Sequence, residues 1–361
     1  MRQINWGIIG PGSIATAFSY SIKGATNSKL ISVFGRNPQK TDSFASKFHL
    51  EAHHRLSDFI SSKEIDAIYI ATPHSEHFFY TLEAIKHGKH VLCEKPFTMN
   101  AYESMILLDL ANAKNIFLME AFMYRTHPQT RNILDNLNFL SDTKSKIMIE
   151  ASFGFKADVP ATHRLRNPKL GGGAILDVGC YPLTMAKLIA GQFQGLAFAE
   201  PKSLSATGQL DKTGVDLQSH AHLIFSDLIE AKISCAINED FSNNLVISSS
   251  KGTITVPDPW HCGQFQAGNS SIHLSHDGGN SKEIKCIDDF GLFTREIEHA
   301  AKCILESKIQ SKFICHAETQ SNMFWLDKWR QEMKIDCPQA LIKNSPIFQS
   351  KAYLLQESQL E

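Results

Sequence analysis

The chain carries no excess of charge of either sign: 36 Lys and Arg stand against 37 Asp and Glu in 361 residues, a formal net charge of -1. Such a balance gives no electrostatic reason to expect nucleic acid or an anionic membrane as partner, so any anion has to be captured locally. Paired cysteines are missing too. The eight present (Cys93, Cys180, Cys235, Cys262, Cys286, Cys303, Cys315, Cys337) are scattered without a CxxC, which argues against a zinc cluster or a disulfide framework and for reduced, packed thiols. No apolar run is expected to reach the roughly 18 residues that cross a bilayer, and the N-terminus enters strand-like sequence at once. Cytoplasm is the expected compartment, with no membrane partner. Low-complexity tracts and internal repeats are absent as well, which excludes a disordered chain or a solenoid.

What is present is 43% hydrophobic sequence in a chain too long for one ordinary core, so two domains are expected. Up to about residue 122, short apolar runs alternate with helical stretches: Ile4 to Ile9, Leu30 to Phe34, Ile65 to Ala71, His90 to Cys93 and Ile116 to Met119. Five such runs predict a doubly wound parallel sheet with right-handed crossovers, and Asn100 followed by Glu103 predicts the cap of a helix over 101–114. From about residue 145 the pattern turns β-rich (146–155, 203–210, 215–225, 229–238, 244–256), interrupted by a helix over 171–189 and followed by helices near 290–306 and 316–333. Sequential strands with short connections predict a large, mainly antiparallel sheet. The fold class is therefore α/β, with domains at 1–122 and 123–361. The open sheet needs a cover, and self-association into a homodimer is the expected one.

The first turn, Gly10-Pro11-Gly12-Ser13-Ile14-Ala15, fits G-x-G-x-x-A. There the first glycine makes a tight turn, the second lets a pyrophosphate approach the backbone, and the N–H groups of Ser13 and Ile14 open the helix. The second strand ends Val33-Phe34-Gly35-Arg36 without the acidic residue that accepts from the ribose 2′-hydroxyl of NAD. Arg36 has the planar fork suited to a 2′-phosphate and Gly35 leaves room for one, so NADP is the expected cofactor, with NAD possible.

By Glu94-Lys95-Pro96 the chain resembles the Gfo/Idh/MocA oxidoreductase family. The segments that carry the resemblance are GPGSIA, the GRN after the second strand, ATPHSEH (71–77), GKHVLCEKP (88–96), MEAFMYRTHP (119–128) and GGGAILDVGCYP (171–182). The last two look closest to the branch of dimeric dihydrodiol dehydrogenases and aldose dehydrogenases. The resemblance implies a Rossmann domain, a C-terminal α/β domain whose open sheet mediates dimerisation, and a site between them for hydride transfer. Lys95, Asp177 and Tyr181 match the family's catalytic positions. Thr72, Pro73, His74, His77 and Glu94 match positions near the cofactor.

The residue chemistry agrees. Alcohol oxidation needs a group that takes the hydroxyl proton as hydride leaves, and reduction needs the same group to return it. Tyr181 serves if a nearby cation, Lys95, lowers its pKa. Asp177, four residues earlier, would share its helical face and orient substrate hydroxyls or hold Lys95. Gly179 and Pro182 predict that this helix is distorted. His74 and His77 form an HxxH pair without an identifiable third ligand, so no metal is expected; lining the cleft or capping a helix suits them better. Arg125 and His127, at the crossing into the second domain, are candidates for binding substrate hydroxyls, with a hinge role as the alternative. Arg164 and Arg166 read as solvated loop. The resulting expectation is an NADP-preferring oxidoreductase acting on a secondary alcohol, lactol or carbonyl of a sugar, polyol or trans-dihydrodiol. The alternative is a non-catalytic dinucleotide-binding regulator.

Overall fold

The computed structural model describes residues 2–141, 145–263 and 269–335, so Cys337 lies outside the described residues. The first third of the chain forms a parallel sheet with its crossover helices. Its strands are β1 (Ile4–Ile9), β2 (Ser28–Phe34), β3 (Glu51–His53), β4 (Ala67–Ile70), β5 (His90–Glu94) and β6 (Leu118–Ala121), in the order β3-β2-β1-β4-β5-β6. The reversal of strand order beside β1 makes a crevice at the strands' carboxyl ends, where open α/β sheets bind ligands. Interleaved are α1 (Ser13–Ser21), α2 (Pro38–Phe48), α3 (Leu56–Ser61), α4 (His74–Lys86) and α5 (Ala101–Lys114). β4 is buried along its whole length, as a central parallel strand covered on both faces requires. The predicted cap holds: Asn100 Oδ1 accepts from Glu103 N at 3.0 Å, and the Glu103 carboxylate accepts from Met99 N at 3.0 Å. The sheet has six strands rather than five. The extra one, β3, is three residues long at the sheet edge, too short and polar to show an apolar run.

After the short helix α6 (Pro128–Asn136) the chain builds a second, larger sheet. It contains β7 (Ile147–Gly154), β8 (Ser203–Leu210), β9 (Asp216–Ile224), β10 (Ile229–Ala236), β11 (Leu245–Ser249), β12 (Gly252–Val256), β13 (Asn269–His276) and β14 (Ser281–Ile287). The order is β14-β13-β12-β11-β7-β10-β9-β8, antiparallel throughout except for the parallel pair of β7 and β10. The predicted run 244–256 is a hairpin of two strands. β13 and β14 were not foreseen because serine, lysine and glutamate fill them, with Ile272 and Leu274 among the few buried side chains.

The helix expected over 171–189 begins with a π-helical turn, Ile175–Gly179, and continues as α7 (Cys180–Phe193). The expected distortion is therefore a single wide turn, a form that recurs at functional sites. Within 168–193 an 18-residue window is long and apolar enough to cross a bilayer, contrary to the absence expected from sequence, yet that window is wholly buried in the protein. It is a core helix against the second sheet.

Two terminal helices, α8 (Thr294–Leu305) and α9 (His316–Glu332), return to the first domain. Asp327 accepts from Ala101 N at 2.7 Å, which docks α9 on α5, and Thr294 Oγ1 donates to Ser21 O at 2.8 Å, which docks α8 on the end of α1. Where β6 gives way to α6, the Arg125 guanidinium pairs with the Glu318 carboxylate of α9, Nη2 to Oε2 at 3.1 Å, and donates to Phe313 O. Both side chains are almost wholly buried. Truncating one member of a buried pair strands the other charge, at a cost of about 3–5 kcal/mol. Arg125→Ala is expected to lower the unfolding free energy in urea by that order. A loss below about 1 kcal/mol would show that the pair does not hold the crossing.

Candidate active site

A cleft of about 930 Å³ opens between the carboxyl ends of the parallel strands and the second sheet's helical cover. One wall is the β1–α1 turn. Gly10 turns with φ +96, and a Cβ there would lie 2.7 Å from Ala71 O. At Gly12 a Cβ would meet nothing within 4 Å. That open space faces the start of α1, whose first N–H groups have no partner within the helix, so the turn fits an anionic linker lying against the backbone. Ser13, Ile14, Thr72 and Pro73 line the same cleft.

Lys95 follows β5 directly and reaches across the cleft. Its ammonium donates to the backbone carbonyl of Asp177 at 2.7 Å and sits 5.1 Å from the centroid of the Tyr181 ring. A cation over a ring face is attracted by the ring quadrupole. The carboxylate of Asp177 is free of Lys95 and accepts from Arg164 Nη1 at 2.9 Å, with His74 Nε2 3.7 Å away. The π-helical turn explains this split, because it releases the Asp177 carbonyl from regular helical pairing toward Lys95 while the side chain points to the opposite rim. Burial alone would raise the Asp177 pKa, but the charges of Lys95 and Arg164 and the hydrogen bond from Arg164 outweigh it and hold the group at about 2. Arg164 was read as solvated loop; it is instead half of an ion pair in the cleft wall. No spacing signal linked it to Asp177, thirteen positions further on, since that separation fits no helical or strand period.

His74 opens α4 and lies against Gly171 O, Nδ1 to O at 2.8 Å. Burial pushes its pKa down to about 3, so the ring is neutral, donates from Nδ1, and keeps a bare Nε2 beside Asp177. His77 lies with Nδ1 2.9 Å from Pro96 O and Nε2 3.0 Å from Thr72 O, its pKa lowered by burial to about 4. A neutral imidazole donates to one of these carbonyls only. Its role is to clasp the end of β4 to the Lys95-Pro96 loop, and the expected HxxH pair does not converge on a shared point. Glu94 borders the cleft, yet its carboxyl is engaged from beneath by the Tyr69 hydroxyl.

Three expectations need correction. Tyr181 was expected to have its pKa lowered by Lys95; the structure raises it well above 10, through burial first and then through the neighbouring Glu94, Cys180 and Asp177. The hydroxyl's contact is with Met123 Sδ at 3.7 Å, and the ring is boxed edge-on by Phe122 and Phe153. Arg125 and His127 were candidates for substrate hydroxyls. Arg125 is spent on Glu318, and His127 Nδ1 caps α6 by accepting from Gln129 N at 3.1 Å while its Nε2 faces Asp288 at 3.8 Å; neither lines the cleft. The room at Gly35 is not on its Cβ side: a Cβ there would lie 2.6 Å from Thr41 Oγ1 and 2.7 Å from the Pro11 ring, while Gly35 itself borders a cavity shared with Arg36 and Lys40. Its smallness serves the packing of β2 against the first turn.

Sequence reasoning also missed the strap between β14 and α8, whose residues Asp289 to Phe293 line the cleft, and His261, which lines it too. The strap is non-repetitive and gives no periodic signal.

A glycine turn at a switch point, with a lysine, an aspartate and a tyrosine from two domains around one cleft, defines a dinucleotide-binding oxidoreductase architecture. Residues 4–122 match the oxidoreductase family with an NAD-binding Rossmann fold, and residues 146–255 match the GFO/IDH/MocA C-terminal domain. The chain belongs to the Gfo/Idh/MocA family. It is 28% identical over 341 residues to the trans-1,2-dihydrobenzene-1,2-diol dehydrogenase of Xenopus tropicalis, covering 92% of this chain and 99% of that one. It is 31% identical over 233 residues to the D-xylose 1-dehydrogenase (NADP(+)) of Hypocrea jecorina, 59% of this chain and 60% of that one. Among solved structures, KijD10, a 3-ketoreductase from Actinomadura kijaniata with NADP and TDP-benzene, superposes with a TM-score of 0.80 at 21% identity, over 92% of this chain and 98% of that one. The aldose-aldose oxidoreductase of Caulobacter crescentus shares the fold at a TM-score of 0.79 and 20% identity, with the same coverage.

Because the folded pKa of Asp177 lies below the ordinary 3.8, the native state binds fewer protons than the unfolded one, and this stabilisation is present above about pH 4 and fades as pH falls toward 2. Asp177→Asn is expected to shrink the loss of stability across that window by up to about 2 kcal/mol. An acid limb identical to wild type in urea titrations would show that the cationic rim does not hold the carboxylate.

Proposed function

We propose that the protein is an NADP-preferring oxidoreductase that moves a hydride between the nicotinamide and a secondary alcohol, lactol or carbonyl of a polyhydroxylated small molecule, with sugars, polyols and trans-dihydrodiols as first substrates to test. The observation that carries this reading is the meeting of Lys95 from the first sheet with Asp177 and Tyr181 from the second domain beside the glycine turn. The names of the relatives, which act on dihydrodiols and on D-xylose, support the substrate class.

Gly10, Gly12, Ser13 and Ile14 would hold the pyrophosphate, and Thr72, Pro73, His74 and Lys95 would border the nicotinamide. When bound, the cofactor supplies the hydride donor or acceptor. The chain's own residues manage the proton and the orientation. Tyr181, neutral through burial, is a proton donor: in the reductive direction its phenol gives a proton to the substrate oxygen as charge develops there, and the Lys95 ammonium stabilises both that oxygen and the resulting phenolate. In the oxidative direction the proton returns along the same path. The Asp177 carboxylate, ionised and fixed by Arg164, accepts from a neighbouring substrate hydroxyl, and the bare Nε2 of His74 offers a second acceptor. These are the groups a polyhydroxylated substrate requires. Arg36, exposed at the far end, supplies the fork for a 2′-phosphate. The open face of the second sheet is the surface through which two copies would associate.

Tyr181→Phe is expected to lower kcat by about 10²–10⁴-fold with NADP and a responsive sugar or diol, while the dissociation constant for NADP stays within a few-fold. Turnover close to wild type would remove the phenol from proton transfer. Arg36→Ala is expected to weaken NADP by about 10–100-fold and NAD by far less, measured as dissociation constants. Equal losses would remove the phosphate role. Binding of NADP without reduction or oxidation of any polyol, diol or ketone in either direction would favour a regulator over an enzyme.

A further inference from the structure

Beyond the Gly10–Gly12 turn a second cavity of about 280 Å³ lies between the end of β2 and the first turn of α4. With a dinucleotide in the cleft, the reading on which the role of Glu76 rests, this is the corner for the adenosine ribose. The end of β2 contains no acidic residue, which on the usual logic marks a site for NADP alone. The structure supplies the missing carboxylate from elsewhere. Glu76, in the first turn of α4, accepts from the Arg36 guanidinium through Oε1 and Nη2, and both side chains line the cavity together with Lys40, Tyr80 and Pro11.

The two members of this pair are unequal. The Glu76 side chain is only 18% exposed, whereas that of Arg36 is 70% exposed. The carboxylate is held by its helix and by the cover of neighbouring atoms, while the guanidinium rests on it from the solvent side. A carboxylate accepts hydrogen bonds and donates none. Toward a ribose 2′-hydroxyl it is a partner; toward a 2′-phosphate it is a like charge, and it occupies one edge of the fork the phosphate would use. Its burial raises its pKa, opposed by Arg36, a sign that the carboxylate is poorly solvated and gains from a neighbouring donor.

We propose that Glu76 is a specificity-determining residue which serves as the acceptor for the ribose hydroxyl of NAD, supplied from α4 in place of the β2 terminus, and which moderates the preference for NADP created by Arg36 and Lys40. The corner is then built for both dinucleotides: Arg36 stays on Glu76 when NAD is bound and turns to the phosphate when NADP is bound.

The test is direct binding of NADP and NAD to the full chain, by calorimetry, for wild type and Glu76→Gln. The amide keeps the size but loses the charge, so NADP is expected to tighten by about tenfold and NAD to weaken several-fold, raising the ratio of the two dissociation constants by more than an order of magnitude. Glu76→Ser carries the same expectation should the glutamine variant not fold. A ratio within about twofold of wild type, or equal shifts for both nucleotides, would overturn the assignment of Glu76. Failure of the wild type to bind either nucleotide would instead overturn the dinucleotide reading of the cleft, a result the Glu76 variants cannot mimic.

Discussion

The site depends on one hydrogen bond across the cleft, from the Lys95 ammonium to the backbone carbonyl of Asp177 at 2.7 Å. A carbonyl inside a regular α-helix already accepts from the N–H four residues on, and a break in the ladder leaves it more open to an outside donor. The π-helical turn Ile175–Gly179 is that interruption. It lets the two domains meet through a main-chain group, which leaves the Asp177 carboxylate for the opposite rim and the Tyr181 ring for the face of the ammonium. Loss of the wide turn would return the carbonyl to the helix and leave Lys95 without its anchor.

Burial then divides the polar groups into charged and neutral ones. His74 and Tyr181 face the same desolvation as Asp177. The aspartate keeps its charge because the cationic Lys95 and Arg164 lie beside it, and the histidine and phenol stay neutral because no comparable partner compensates. A neutral phenol beside an ammonium and an ionised carboxylate is an arrangement suited to giving a proton to a carbonyl oxygen. On the proposed function, Tyr181 would therefore enter the reductive direction as the proton donor.

The doubly wound first domain was legible because each central strand is a short, wholly apolar run bounded by turns, and β4 shows this most plainly. Lys95, Asp177 and Tyr181 stood out through the family resemblance of their segments, and the structure brings all three to one cleft. What escaped was set by tertiary contact alone. Glu76 stands forty residues from Arg36, the Arg164 partner of Asp177 lies in a loop without periodicity, and β13 and β14 carry too little apolar alternation to declare themselves. Arg125 and His127 misled for the opposite reason: polar groups at a domain crossing look like ligand contacts until the buried carboxylate of Glu318 and the cap of α6 are seen to use them.

The most direct test of the account is transfer of label from substrate carbon to cofactor. With NADP and D-xylose or a trans-dihydrodiol deuterated at the reacting carbon, the wild-type protein is expected to place deuterium at C4 of the reduced nicotinamide. Lys95→Ala is expected to bind the cofactor yet transfer label at least a hundredfold more slowly. Reduced cofactor without deuterium at C4, or transfer by the lysine variant at the wild-type rate, would contradict the claim that the bridge between the two domains assembles a hydride-transfer site.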